Sequence, residues 1–260
     1  MTDNAETGPA IGRELTFLSS WFCPFAQRTW LVLLEKGVQF KLFEVSLKDP
    51  KTGLWRQYEQ KPEWFLRLSP LGKVPALAYE EDTTLQTVYE SCICNEFLED
   101  YAPPPEAPAL LPPHPATRAR CRIIIDRFNV KFVPVFYRIL LRQDKASQDE
   151  CAATLTEELL WLESMMDPQG PYFAGEAFSL VDCALLPHFL RMYILKHYRG
   201  FELPARCRRL NEWYAQATQR PAVQKTLTAP ENQEYEAALL KHYSKYADST
   251  ANSTSAKDFK

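Results

Sequence analysis

The segment Pro103-Pro104-Pro105-Glu106-Ala107-Pro108-Ala109-Leu110-Leu111-Pro112-Pro113-His114-Pro115 constrains this chain more than any other. Proline lacks an amide hydrogen and has a fixed φ, so neither a helix interior nor a central strand can run through it. An extended, stiff linker over 103–115 is expected, dividing the chain into two parts. The 260 residues are enough for two ordinary domains. A hydrophobic content of 46% and a charged content of 24% are those of a globular protein and exclude wholesale disorder.

The two parts have different patterns. Upstream, 15–19 has the composition of a short strand, and 24–36 that of a helix stopping at Gly37, a suitable residue just past a helix end. Residues 39–45 alternate as a half-buried strand does. One or two helical turns are expected over 62–68, before Pro70. Residues 76–79 and 85–88 flank an acidic turn as a hairpin, and a helix over 91–101 closes the part. The order βαβ, helix, ββα describes an α/β unit with parallel and antiparallel strands. Downstream, no segment is convincing as a strand. Helical stretches cover 116–141 and 148–166, with breaks near 143–147 and at Asp167-Pro168, and 180–196, 205–217 and 232–246 continue the pattern. Ser179-Leu180-Val181-Asp182 has the form of a capping box, in which a serine caps the first amides and an acid three residues on reaches back. The expected organisation is an N-terminal extension (1–12), an α/β domain (13–102), the linker (103–115), an all-helical domain (116–247) and a disordered polar tail (248–260).

Composition narrows the function classes. A net charge of −3 lacks the basic excess of a nucleic-acid or anionic-membrane binder. No apolar run approaches the ~18–20 residues of a membrane span. The eight glycines form neither GxGxxG nor GxxxxGK followed by Ser or Thr, which excludes two common phosphate loops at the motif level. The acidic opening Met1-Thr2-Asp3-Asn4-Ala5-Glu6 has no hydrophobic stretch of the kind a secretory leader needs. Seven dispersed cysteines, an odd number, indicate free thiols in a reducing, cytoplasmic setting. There is no CxxC, and the four histidines lack HExxH spacing and a neighbouring cysteine pair, so no metal site is expected.

One cysteine stands apart. In Ser19-Ser20-Trp21-Phe22-Cys23-Pro24-Phe25-Ala26-Gln27-Arg28 the thiol falls between a strand and a helix, with proline at the first helical position. Free amides and the positive end of the helix dipole favour a thiolate there. Such settings lower a cysteine pKa from about 8.5 toward about 3.5–7.5. The plain reading of a free cysteine is a small buried hydrophobe, and that is the expectation for the other six. Ala26 occupies the position where a CxxC centre holds its second cysteine. A mixed disulfide at Cys23 therefore needs an external thiol to resolve it.

The run from Cys23 to Arg28 is followed in order by Lys61-Pro62-Glu63-Trp64-Phe65, Ser69-Pro70-Leu71-Gly72-Lys73-Val74-Pro75 and Tyr89-Glu90-Ser91. Together these strongly resemble an omega-class glutathione transferase. The C-terminal half matches in being helical after a proline linker and in its capping box at 179–182. The resemblance implies a thioredoxin-like N-terminal domain, an all-α C-terminal domain, glutathione as co-substrate held mostly by the first, and a two-fold homodimer. It implies Cys23 as the catalytic thiol. Val74 offers its backbone to the cysteinyl part of glutathione, with Pro75 in cis. Glu90 and Ser91 hold the γ-glutamyl end, Lys61 faces the glycyl carboxylate, and Phe25 lines the site. The residue chemistry agrees, since an amide and hydroxyl at a helix start suit a carboxylate, and Glu90 suits an ammonium. Each role has a plainer rival: Ser91 as an N-cap, Glu90 as a first-turn acid, Lys61 as a solvated lysine, residues 74–75 as a simple turn. Their joint occurrence in family order favours the functional roles.

Phe128, His188 and Arg191 are the candidates for a second-substrate pocket, with core packing or a solvated face as the alternative. Residues 49–60 look like an insertion relative to the animal omega pattern, placed to alter the glycine end of the site, and the tail beyond 247 has no counterpart. The implied activity is a glutathione-dependent thiol transferase acting on a small electrophile or disulfide, including dehydroascorbate reduction and deglutathionylation of aromatic ketone conjugates. One rival is a conjugating transferase that activates glutathione's own sulfur through a hydroxyl such as Ser19 or Ser20. Another is a non-enzymatic module on the same fold, as in chloride-channel-like proteins that enter membranes. The first helix, 24–36, carries Arg28, Glu35 and Lys36 and is too short to span, so no membrane partner is expected.

Overall fold

Strand β1 (Thr16–Ser19) is buried along its whole length, and the N-terminal unit is arranged around it. The computed structural model describes residues 7–49, 55–229 and 233–248. The sheet order is β2-β1-β3-β4, with β2 at Lys41–Glu44, β3 at Ala76–Glu81 and β4 at Thr84–Tyr89. β1 runs parallel to β2, with Phe17 opposite Leu42, and antiparallel to β3, with Phe17 opposite Leu77. A parallel pair needs a long crossover, here helix α1 (Pro24–Glu35). The β3–β4 hairpin turns through Asp82 and Thr83, at φ +47° and +65°, the left-handed pair that matches the twist of a two-residue hairpin loop. Helix α1 packs against α3 (Ser91–Tyr101), and α2 (Glu63–Leu68) against β3. This is a thioredoxin-like unit. β2 departs from the half-buried alternation expected of it. It is an edge strand, with Leu42 47% exposed and only Phe43 partly covered.

Both ends of α1 are set by sequence. Pro24 occupies the first helical position, and Gly37 takes φ +66° just past Lys36. The amides of Gly37 and Val38 return to the carbonyls of Leu34 and Leu33, closing the last turn. Lys36 is buried. Its Nζ is 2.8 Å from Glu99 Oε2 and donates to the Pro108 carbonyl at 2.8 Å. The proline-rich segment is therefore more than the extended strap its composition implies. It turns at 104–106, and Ala107, Leu110 and Leu111 are buried. Apolar residues between the prolines give it an inward face.

The chain divides into two compact units between Ala109 and Leu110. The second is helical: α4 (Pro115–Arg127), a π turn (Phe128–Phe132), α5 (Val133–Leu141), α6 (Lys145–Met165), α7 (Leu180–Phe189), α8 (Met192–Arg199), α9 (Arg208–Ala217), α10 (Pro221–Thr226) and α11 (Tyr235–Ala247). The helix expected over 116–141 contains the π turn because Pro134 cannot donate to the preceding turn and its ring crowds that carbonyl. The expected run over 180–196 breaks at Leu190 and Arg191, and α10 had no counterpart in the sequence reading. Residues 7–12 of the expected extension are ordered against the unit, where the Gly12 carbonyl accepts from the Glu80 amide at 2.8 Å. Residues 1–6 and all but the first of 248–260 lie outside the described residues. Among the described residues, no helix is long and apolar enough to cross a membrane.

Asp182 anchors the helical unit. Fully buried, it accepts from the Ser179 hydroxyl (2.6 Å) and amide (2.8 Å), the Phe173 amide (3.2 Å) and Trp213 Nε1 (2.7 Å). The Trp213 ring in turn meets Phe173 and Phe189 edge-on, at 5.1 and 4.9 Å. Burial pushes the Asp182 carboxyl above its ordinary range, opposed by these donors. Asp182→Ala leaves the donors unanswered and is expected to cost about 3–5 kcal/mol, the scale of breaking a buried charged network. Urea unfolding measures this, and a loss below about 1 kcal/mol would contradict the anchoring role.

Candidate functional site

All seven cysteines are free, and five are buried. Burial pushes the Cys94 thiol up to about 12 and Cys121 up to about 11, and raises Cys151 and Cys207. A thiol held neutral is a poor nucleophile. Cys23 and Cys92 are the two half-buried thiols.

Cys23 is the N-cap of α1, with φ −80° and ψ 115°. The loop before it is tied to the end of β2 at three points. The Val45 amide donates to the Ser19 carbonyl at 2.7 Å, Ser20 Oγ donates to the Val45 carbonyl at 2.7 Å, and the Trp21 amide donates to Glu44 Oε1 at 2.9 Å. The Cys23 amide then closes a turn onto Ser20 O at 2.8 Å. The thiol is thus delivered to the helix start by a fixed loop, and its Sγ lies 3.9 Å from the Val74 carbonyl, 51 residues on. The Val74–Pro75 peptide is cis, as the resemblance implies.

The turn that presents Val74 is built around Gly72, at φ +61°. Its amide donates to Ser69 O at 2.7 Å, and Ser69 Oγ accepts from the Lys73 amide and donates to the Lys73 carbonyl. Half-buried Lys61 donates from Nζ to the Gly72 carbonyl at 2.7 Å. The conformation favours glycine, and a Cβ there would come within 2.8 Å of Lys61 Cδ and displace that side chain. Burial, and secondarily the nearby Lys73 charge, lower the Lys61 pKa. Lys61, Val74 and Cys23 thus follow one another along a continuous stretch.

A second cluster joins α1 to α3. Ser91, the first residue of α3, is buried, and its Oγ accepts from Arg28 Nη1 at 3.4 Å. The Arg28 guanidinium, 1% exposed, lies 5.0 Å from the Phe25 ring centroid and 3.9 Å from Cys92 Sγ. Thr29 Oγ1 donates to Asn95 Oδ1 at 3.0 Å, bracing the same interface. Phe25 and Ser91 are therefore brought together through Arg28, a residue to which the sequence assigned no role in the site. Glu90 precedes Ser91 with an exposed side chain and φ +69°. A left-handed non-glycine residue costs roughly 1–2 kcal/mol, and such strain clusters at functional sites.

The proposed second-substrate residues need correction. Phe128, His188 and Arg191 are 1%, 0% and 0% exposed. His188 packs edge-on to Phe128 and Phe136, at 5.5 and 5.7 Å, and Arg191 Nη1 donates to the Pro187 carbonyl at 2.6 Å, across the break between α7 and α8. These are packing and helix-terminating roles, and residues so covered cannot line an open pocket. A cavity of about 460 Å³ lined by Thr7, Arg56, Pro62, Glu63, Trp64 and Arg67 contains none of the expected site residues. Among the described residues, no group of His, Cys, Asp or Glu side chains could hold a metal ion.

Residues 22–101 match the glutathione S-transferase N-terminal domain, and 145–216 the glutathione S-transferase C-terminal domain. Over 221 residues the chain is 31% identical to glutathione S-transferase omega-1 of Sus scrofa, covering 85% of this chain and 83% of that protein. The crystal structure of glutathione transferase Omega 3C from Trametes versicolor superposes with a TM-score of 0.75 at 33% identity, covering 95% of each chain. Rice GST1, solved in complex with glutathione, superposes at 0.74 with 25% identity, covering 92% of this chain and 99% of that one. The chain belongs to the glutathione transferase family and, within it, to the omega class. It is an enzyme of a family that uses glutathione as substrate.

Glu44 gives the pinned loop a pH dependence. Burial pushes its carboxyl from 4.5 up to about 7, against the opposing Trp21 hydrogen bond, while solvent along the exposed side chain moderates the effect. A carboxyl whose folded pKa is raised contributes stability that is present below its unfolded pKa and lost as pH rises through the folded value. Glu44→Gln keeps an acceptor for Trp21 and removes that loss. Its urea midpoint, relative to the parent, is expected to rise between pH 5 and pH 8; a relative fall over that interval would contradict the assignment.

Proposed function

We propose that this transferase is a thiol transferase working through Cys23. The observation that carries this reading is the position of that thiol: half-buried, at the start of a proline-initiated helix, with alanine where a resolving cysteine would stand. The Cys23 thiolate attacks the sulfur of a glutathionyl conjugate. The carbon–sulfur bond breaks, the carbon leaves as a carbanion or enolate and takes a proton, and Cys23 is left disulfide-bonded to glutathione. A second glutathione thiolate attacks the glutathionyl sulfur, releasing oxidised glutathione and restoring the Cys23 thiolate. A disulfide substrate follows the same path with a thiolate as leaving group. With dehydroascorbate, two glutathiones become one disulfide while the substrate gains two electrons and two protons.

In this reading the cysteinyl part of glutathione lies along Val74, its γ-glutamyl end meets Ser91 and Glu90, its glycyl carboxylate faces Lys61, and Phe25 lines the site. The Arg28 charge behind Ser91 favours an anionic group at that helix start. The conjugating alternative is weakened by the engagement of its candidate hydroxyls: Ser19 and Ser20 are 2% and 1% exposed, and Ser20 Oγ already donates to Val45. The seven free thiols fit a cytoplasmic setting, and a two-fold homodimer fits both the family and the commonest soluble symmetry.

Cys23→Ser is expected to lower glutathione-dependent disulfide reduction by on the order of 1,000-fold or more, while Cys183→Ser, deep in the helical unit, stays within about twofold. Full activity in Cys23→Ser would overturn the mechanism. A parent protein that forms the mixed disulfide but never turns over would instead favour a binding module. Lys61→Ala and Glu90→Ala are each expected to weaken glutathione binding by about 1.5–3 kcal/mol. Isothermal titration with unchanged affinity in both would refute this pose.

A further inference from the structure

Trp55 and Arg56, within the 49–60 segment, are folded back onto residues 47–48, beside the loop that carries Cys23. Lys48 and Trp55 pair as an antiparallel bridge, and the Arg56 amide donates to the Leu47 carbonyl at 3.0 Å. This pairing places the Trp55 ring 5.3 Å from the ring of Phe22, edge-on at 84°, and Phe22 is the residue immediately before Cys23. Trp21 meets Phe22 from another direction at 5.7 Å and 85°. All three rings are half-buried. They are therefore neither core residues nor isolated surface aromatics, but a corner of ring surface partly open to solvent. Lys48 Nζ lies 5.3 Å from the Trp55 centroid and 5.8 Å from that of Phe22, which adds positive charge beside the rings.

We propose that Trp55, with Phe22 and Lys48, forms a binding wall for the aromatic part of the second substrate, making this chain selective for glutathionyl conjugates that carry a flat aryl group. Edge-to-face rings leave a notch in which a third ring gains stacking and apolar burial. A cation at its rim favours electron density on the incoming aryl group. The covalent step is the one already described, with attack on the glutathionyl sulfur. The inference rests on the Cys23 reading for that step and adds a specificity determinant from a segment that has no counterpart in the animal omega pattern. The competing role for Trp55 is that of a brace, holding Phe22 and hence the Cys23 loop, in which case every Cys23-dependent reaction depends on it equally.

Two substrates of the full-length enzyme separate these roles: S-phenacylglutathione, which carries an aryl ketone, and 2-hydroxyethyl disulfide, which has no ring. Trp55→Ala is expected to raise KM for S-phenacylglutathione about tenfold, with a smaller change in kcat, and to leave turnover of 2-hydroxyethyl disulfide within about twofold. Trp55→Phe, which keeps an aromatic face, should recover most of the loss. Equal loss on both substrates, or no change on either, would overturn the proposal. Cys23→Ser measured alongside keeps the two claims apart. Retention of both activities in that variant defeats the thiol mechanism, whereas the difference between the two substrates in Trp55→Ala reports on the aryl wall alone.

Discussion

The site depends on the pinning of residues 19–22 to the end of β2. A thiol at a helix N-terminus gains from the dipole and the free amides only if it is held there, and a loop free to move would lose that geometry. Here a backbone pair (Val45 to Ser19), a hydroxyl (Ser20 to Val45) and a carboxylate (Trp21 to Glu44) fix the loop within four residues of Cys23. Edge strand β2, through its parallel pairing with β1, thus supports the loop that carries Cys23. The buried Lys36–Glu99 pair fixes the other end of α1 against α3, so the helix that carries Cys23 is held at both ends.

Cations stand at two of the elements proposed to hold glutathione, a tripeptide with a carboxylate at each end. Lys61 stands at one end of the Cys23–Val74 stretch, hydrogen-bonded to the turn that presents Val74. Arg28 lies against Ser91 and places a second cation at the start of α3. Burying a guanidinium is costly unless it is paired or hydrogen-bonded. Its position between the Phe25 ring and the Ser91 hydroxyl indicates a role beyond filling space.

What was legible in the sequence was local. Pro24 and Gly37 bracket α1, the runs on either side of an acidic turn mark the β3–β4 hairpin, and the serine–aspartate spacing at 179–182 marks a helix start. Each of these signals acts within a few residues. Features set by contacts distant in sequence were not readable. Arg28 has a surface residue's chemistry, and only the packing of α1 on α3 buries it. His188 and Arg191 were candidate pocket residues, yet rings of α5 and the α7–α8 break enclose them. The π turn depends on how α4 and α5 continue past Pro134. The position of residues 49–60 beside Lys61 was legible, but the return of Trp55 onto Phe22 depends on its pairing with Lys48, which neither residue announces.

The central claim is that Cys23, alone among seven thiols, accepts glutathione and gives it up again. The most direct measurement is peptide-resolved mass spectrometry of the full-length enzyme after incubation with oxidised glutathione, then with fresh reduced glutathione. One glutathionyl group is expected on the peptide containing Cys23, formed at neutral pH and removed by the second incubation, with the peptides of Cys94, Cys121, Cys151, Cys183 and Cys207 unmodified. Modification of another cysteine in preference to Cys23, or an unmodified Cys23 under those conditions, would contradict it.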